Sequence, residues 1–105
     1  MAETFKLLYQ NQVPNTATTL YTVPSATSAL VKTIRIVNTS AAAATIKIWQ
    51  NGTANANVIL PTTSIDAGGF GEFEGTFTMG AADYISAQAG TASAITLTIW
   101  GVEIT

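Results

Sequence analysis

Few residues in this chain could do chemistry, and each can be weighed in turn. Glu72 and Glu74, in the stretch GFGEFEG, stand two residues apart, and on a strand that spacing sends both carboxylates to one face. A pair of carboxylates about 5–5.5 Å apart is the machinery of a retaining glycosidase, one as nucleophile and the other as acid and base. A solvated strand face with Phe73 turned to the core gives the same alternation, and it is the reading adopted. Histidine and cysteine are both absent from the 105 residues. The usual general base near neutral pH and the usual thiolate are therefore missing, so Ser-His-Asp and Cys-His arrangements cannot be built. Disulfides and cysteine-based zinc sites go with them.

Asp66, in SIDAGG, begins like a calcium loop but lacks acids at the alternate positions and the distal Glu. Gly68, Gly69, Gly71 and Gly75 are followed by no Lys-Ser/Thr and no helix start, so they read as turn and bulge residues between strands rather than a phosphate cradle. Asp83, in MGAADYISAQAG, precedes a strand and reads as an Asx-type turn. The expectation is a non-enzymatic protein with no catalytic residue, no cofactor and no metal site.

Trp49 and Trp100 are more informative, and the strands that carry them show why. In AITLTIWGVEIT, Ile95, Leu97 and Ile99 fall on one face and Thr96, Thr98 and Trp100 on the other. ATIKIWQNGT follows the same grammar, with Ala44, Ile46 and Ile48 inward and Thr45, Lys47 and Trp49 outward, before the hairpin signal Asn51-Gly52. Both tryptophans thus face away from the isoleucines. An outward Trp suits burial against another subunit or stacking on a sugar ring; equally, a strand end can bend so that either Trp covers the edge of the core. In VKTIRIVN, Ile34 and Ile36 share a face, and Lys32 lies in phase with them, which predicts a lysine at the strand mouth with its head in water.

Further strands are expected at Phe5 to Gln10, Leu20 to Val23, Val58 to Leu60, Gly71 to Thr78 and Tyr84 to Ala89. About eight strands at such intervals predict an all-β, single-domain antiparallel β-sandwich or jelly roll. Residues 1–12 are either an N-terminal arm or the first strand, and residues 13–105 form the sandwich domain. Phe5, Leu7 and Tyr9 alternate along residues 1–12 and join Trp49 and Trp100 as the candidate interface.

Composition points the same way. Charged residues make up 10% of the chain, against about 25% in an ordinary soluble domain. Depletion of Lys, Glu and Asp marks surfaces that stay buried in permanent assemblies, and uncharged edge strands are hazards unless something covers them. A net charge of −2 offers no basic field for nucleic acid. Thr, Ser, Asn and Gly break every apolar run before the 18 or so residues of a membrane-spanning helix, so no membrane partner is expected. The start, MAETFKLLYQNQ, does not look like a secretory signal.

LYTVPSATSALVKTIRIVNTS, then ATIKIW, GEFEG and ADYISAQAGTASAITLTIWGVEIT, together resemble a group of small β-sandwich virion proteins of tailed bacteriophages, of the capsid decoration (cement) type. The similarity spans roughly Leu20 to Glu103 and rests on strand patterns rather than catalytic signatures. One departure is Ala82, where related proteins have Gly before the Asp. The resemblance implies a structural virion protein made in the host cytoplasm. It would bind the major capsid protein on the outer capsid surface as a homo-oligomer, in the form of homotrimers over threefold positions. A tail, neck or fibre accessory protein is the nearest alternative. A carbohydrate-binding module using Trp49, Trp100 or Tyr84 as stacking platforms is a more remote one.

Overall fold

Alternation of β-branched and small polar residues sets eight strands: β1 (Glu3–Gln12), β2 (Thr18–Thr22), β3 (Ser28–Asn38), β4 (Ala44–Gln50), β5 (Val58–Ile65), β6 (Phe70–Met79), β7 (Tyr84–Ala89) and β8 (Ile95–Ile104). The computed structural model describes residues 2–105, and Met1, the first residue of the expected arm, lies outside them. The strands form two four-stranded sheets, in the orders β1-β8-β3-β6 and β2-β7-β4-β5. Every pairing is antiparallel. β1 pairs with β8, β2 with β7, β3 with β6 and β4 with β5, so the chain is one long hairpin rolled over on itself. This is a jelly roll. Residues 3–12 are thus an edge strand of the chain's own first sheet. Among the described residues no helix is long and apolar enough to cross a membrane.

The core lies between the two sheets and is built from the in-phase isoleucines. Ile34, Ile46, Ile48, Ile85, Ile95, Leu97 and Ile99 are among its fully buried side chains. Each contributes about 1.5–3 kcal/mol by leaving water. Ala87 and Ala89 of β7 are buried in the same cluster. Phe73 and Phe77 of β6 meet edge to face, 5.4 Å between centroids, and pack against this cluster.

Two polar groups close the sandwich. Asn38, at the end of β3, is fully buried. Its Nδ2 donates to the carbonyls of Ala42 and Ile65, and its Oδ1 accepts from Ser40 N and Oγ. At the opposite margin Tyr21 Oη donates to Glu103 at 2.6 Å, and Lys6 Nζ stands 3.1 Å from the other carboxylate oxygen. That contact ties β2 of the second sheet to β8 and β1 of the first. The Tyr21 bond, reinforced by Lys6, holds the Glu103 carboxyl below its usual range despite some desolvation. Burial, and then Glu103 itself, pushes the Tyr21 phenol up.

Register shifts cross the first sheet at one level. β1 shifts against β8 between Leu7 and Tyr9, and β3 shifts between Val31 and Thr33. The extra residues are Leu8 and Lys32, as expected of β-bulges, which leave one residue unpaired and reverse the facing of those beyond it. Lys32 therefore is not in phase with Ile34 and Ile36: Val31 is buried on the inner side, Ile34 resumes it, and Lys32 stands exposed between them. Gly101 of β8, paired with Lys6 and Val31, lies next to both bulges. A Cβ there would collide with the Leu30 carbonyl oxygen and lie 2.9 Å from Leu8 Cδ1.

Asn51-Gly52 ends β4, but the connection to β5 runs through residues 51–57 and a single 3-10 turn at Asn55–Asn57. It is not a two-residue hairpin. Asn51 adopts φ 62°, and its side-chain oxygen accepts from Tyr84 N. Asp83 forms the expected turn, accepting from Gly80 N through Oδ2 at 2.8 Å, while Ala82 before it is held at φ 69°.

Candidate interaction face

The cross-strand register assigns the outer face of the first sheet. Phe5, Val102, Leu30 and Thr78 form one row across β1, β8, β3 and β6, and Leu7, Trp100, Thr33 and Glu74 form the next. Further along, Gln10, Thr98, Arg35 and Glu72 align, and beyond them Val37 is opposite Phe70. Among the described residues, the exposed large hydrophobic side chains are Phe5 at 77%, Leu7 at 46%, Phe70 at 61% and Trp100 at 40%. All four belong to these rows, so they share one face of one sheet. Val102, flanked by Phe5 and Leu30, is buried beneath them.

Phe5, Leu7 and Trp100 were expected at an interface, and the fold brings them together. Tyr9 does not join them. The bulge at Leu8 turns it to the inner side opposite Ile99, where it packs against the core and burial raises its phenol pKa. Trp49 does not join them either. It lies on the second sheet and, although its parity is opposite to Ile46 and Ile48, only 5% of it is exposed. Lys47 Nζ lies 5.3 Å from the centre of the Trp49 ring. Its indole Nε1 is buried with no hydrogen-bond partner among the described residues. Beside it, Thr45, Lys47, Thr62 and Gln88 help line a hollow of about 280 Å³.

Phe70 was not singled out in the sequence, yet its signal was there: it shares parity with Glu72 and Glu74, whose face reads as solvated. Arg35 stacks on it with Cζ 4.5 Å from the ring centre. The same Arg35 binds Glu72 at 2.7 Å, so this carboxylate is engaged in an exposed ion pair. Among the described residues no group of three His, Cys, Asp or Glu side chains comes together.

Past the Phe5 row, at the ends of β3, β6 and β8, lies an open hollow of about 500 Å³ lined by Leu30 and Thr78 of this face, by the buried Ala29 and Met79 and by Asp83 of the turn before β7. The face thus offers a protruding phenyl ring, an apolar middle and a depression. What such a surface can do is dock.

Neither a protein-family model nor a curated protein sequence matches the chain. Solved structures share its architecture. A chain of the acidic stable capsid structure of Helicobacter pylori bacteriophage KHP30 superposes with a TM-score of 0.62 at 10% identity, covering 100% of this chain and 89% of that one. The fold is therefore one used in a phage capsid. A chain from Bacillus endospore appendages, described as a novel family of disulfide-linked pili, gives 0.55 at 15% identity over 99% and 87%. The present chain has no cysteine with which to make such links. A family 35 carbohydrate-binding module from Clostridium thermocellum reaches 0.43 at 11% identity over 100% and 99%, a score too low to carry an argument.

Proposed function

We propose that this chain is a non-enzymatic structural protein of a tailed-phage virion, attached to the outer capsid surface as a decoration protein that stabilises the shell. The observation that carries the reading is the gathering of Phe5, Leu7, Phe70 and Trp100 on one outer sheet face. Exposed apolar surface concentrated in this way marks an interaction site rather than a free surface. The low charge of the chain as a whole suits a contact that is made once and kept. The jelly roll shared with a phage capsid chain supports the setting.

The physical role would be one of linkage. A protein that binds the assembled shell and not its separated subunits stabilises the shell by mass action, by about 2.7 kcal/mol at a free concentration 100 times its Kd. No chemistry is needed.

The test is to add the purified chain to shells that lack it and to follow both binding and the temperature of shell disassembly. Saturable binding with a raised disassembly temperature is the expected result, weakened by Phe70→Ala or Trp100→Ala. Shells that neither bind the chain nor gain stability would remove the decoration reading.

A further inference from the structure

The outer face of the second sheet carries a cation that faces no acid. The strands of that sheet, TTLYT, YISAQA, ATIKIWQ and VILPTTSI, hold one charged residue between them, Lys47. Of the other cations, Lys6 meets Glu103, Arg35 meets Glu72, and Lys32 stands exposed at its bulge. Lys47 is instead opposite Gln88 of β7, and among the described residues it enters no ion pair. It is only partly exposed, with Nζ held 5.3 Å from the centre of the Trp49 ring. A cation drawn partly out of water loses hydration, and an aromatic face restores only some of that free energy.

The same lysine stands in a hollow of about 280 Å³, whose wall also takes in Thr45, Trp49, Thr62, Gln88 and Gly90. β4 supplies Thr45, Lys47 and Trp49, β5 supplies Thr62, β7 supplies Gln88, and Gly90 follows directly on β7. Gly90 makes the room. A Cβ there would collide with Thr45 Oγ1, so a larger residue would drive the hydroxyl from its place. The Gln88 amide is fixed from outside, its Nε2 donating to the Asn15 carbonyl at 3.1 Å. Trp49 adds an indole whose Nε1 is buried without a partner among the described residues. The wall thus holds an ammonium and two hydroxyls and no carboxylate, a donor set suited to an oxyanion.

We propose that this hollow is a second attachment point, which receives the carboxylate of an Asp or Glu side chain from a partner protein. The proposal rests on the reading of the chain as an attached structural protein and adds a contact on the side away from Phe5 and Trp100. Charge sets the sign of the occupant: a lone ammonium on an otherwise uncharged sheet attracts an anion, and the Thr45 and Thr62 hydroxyls can donate to its oxygens. Size sets its kind. The volume lies just below the range of about 300–1,000 Å³ that encloses a small-molecule ligand, yet it is ample for one side chain, since about 150 Å³ accepts benzene. Because Lys47 is partly exposed, the pair would form without full desolvation, the regime in which charge complementarity fixes register and adds to affinity. With a contact on each outer face, the chain braces two neighbours instead of lying on one.

The full chain and shells that lack it are the material for the test. Lys47→Gln removes the charge, Lys47→Glu reverses it and Lys47→Arg keeps it; the side chain is on an outer face, so the fold should survive. Shell binding should weaken by about 10-fold or more with Gln and further with Glu, and should persist with Arg. The Gln variant should also lose part of the salt dependence. Without shells, N-acetylglutamate N-methylamide probes the hollow alone. In isotope-labelled chain it should shift the indole N–H resonance of Trp49 and leave that of Trp100, on the other sheet, in place, whereas the glutamine counterpart should shift neither. Equal affinity of the Lys47→Gln variant and the unaltered chain for shells would overturn the proposal and leave the decoration reading standing. So would a glutamine probe that acts like the glutamate one, or sodium galacturonate acting at lower concentration than either, which would make the occupant a free sugar acid. Shells that bind no version of the chain would remove the decoration reading, and the glutamate probe then decides the hollow by itself.

Discussion

Asn38→Ala should be among the most damaging single substitutions in this chain. Asn38 has no exposed surface, and its amide uses all of its capacity. Nδ2 lies 2.8 Å from the Ala42 carbonyl and 2.9 Å from that of Ile65, while Oδ1 accepts from Ser40 N at 2.9 Å and Ser40 Oγ at 2.7 Å. Four bonds at about 1 kcal/mol each set an upper figure. Ala42 is exposed and Ser40 partly so, so their groups recover water, and about 2–4 kcal/mol is the expected loss. In a domain of this size that corresponds to a fall of roughly 10–25 °C in Tm. Urea unfolding followed by tryptophan fluorescence would measure it. Asn38→Asp sharpens the reasoning, since it keeps the acceptor toward Ser40 but aims a carboxylate oxygen at two carbonyls. That carboxyl would have a raised pKa in the folded state. The Asp variant should therefore be less stable than the Ala variant at neutral pH and should regain stability as pH falls and the group protonates. A loss under 1 kcal/mol for Ala, or an Asp variant as stable as the Ala variant at pH 7, would refute the account of this network.

Acid should loosen the margin where the two sheets meet. Glu103 has a folded pKa below its ordinary value of about 4.3, so its contribution is complete above that value and is lost as pH falls through the folded one. Tyr21→Phe should cost about 1–2 kcal/mol at pH 7 and flatten the acid limb of a stability-against-pH curve; an unchanged limb would contradict the assignment. Ala82→Gly should raise stability by about 0.5–1 kcal/mol, because φ 69° suits Gly better than Ala, and a lower Tm would argue against the left-handed turn. Trp49→Phe removes an indole N–H that is buried without a partner, so its cost should stay within about 1 kcal/mol although the side chain shrinks. A loss of several kcal/mol in denaturant melts would mean that the N–H is satisfied.

The sheets were legible because alternation of Ile, Val and Thr is hard to mistake: β4 and β8 each show their inner face in three in-phase residues, and β3 shows it in Ile34 and Ile36. What alternation cannot reveal is a single inserted residue. The bulge at Leu8 moved Tyr9 from the outer face to the inner one, and that at Lys32 removed a lysine from a row it had seemed to share. Both depend on how neighbouring strands pair, and pairing is not written in either strand alone. Trp49 shows a different limit. Its parity gave its face correctly, but parity does not say what else covers that face, and burial followed from tertiary packing. Phe70 is readable from parity as well, since it shares the phase of Glu72 and Glu74, whose face reads as solvated. The gathering of Phe5, Leu7 and Trp100 could be suspected residue by residue, whereas their adjacency required knowing that β1 pairs with β8.

The most direct test of the central claim is the number of copies of this chain in purified particles, measured by quantitative mass spectrometry against the major capsid protein. Decoration of the shell predicts an abundance that approaches that of the capsid subunit. A few copies per particle, or none, would contradict it.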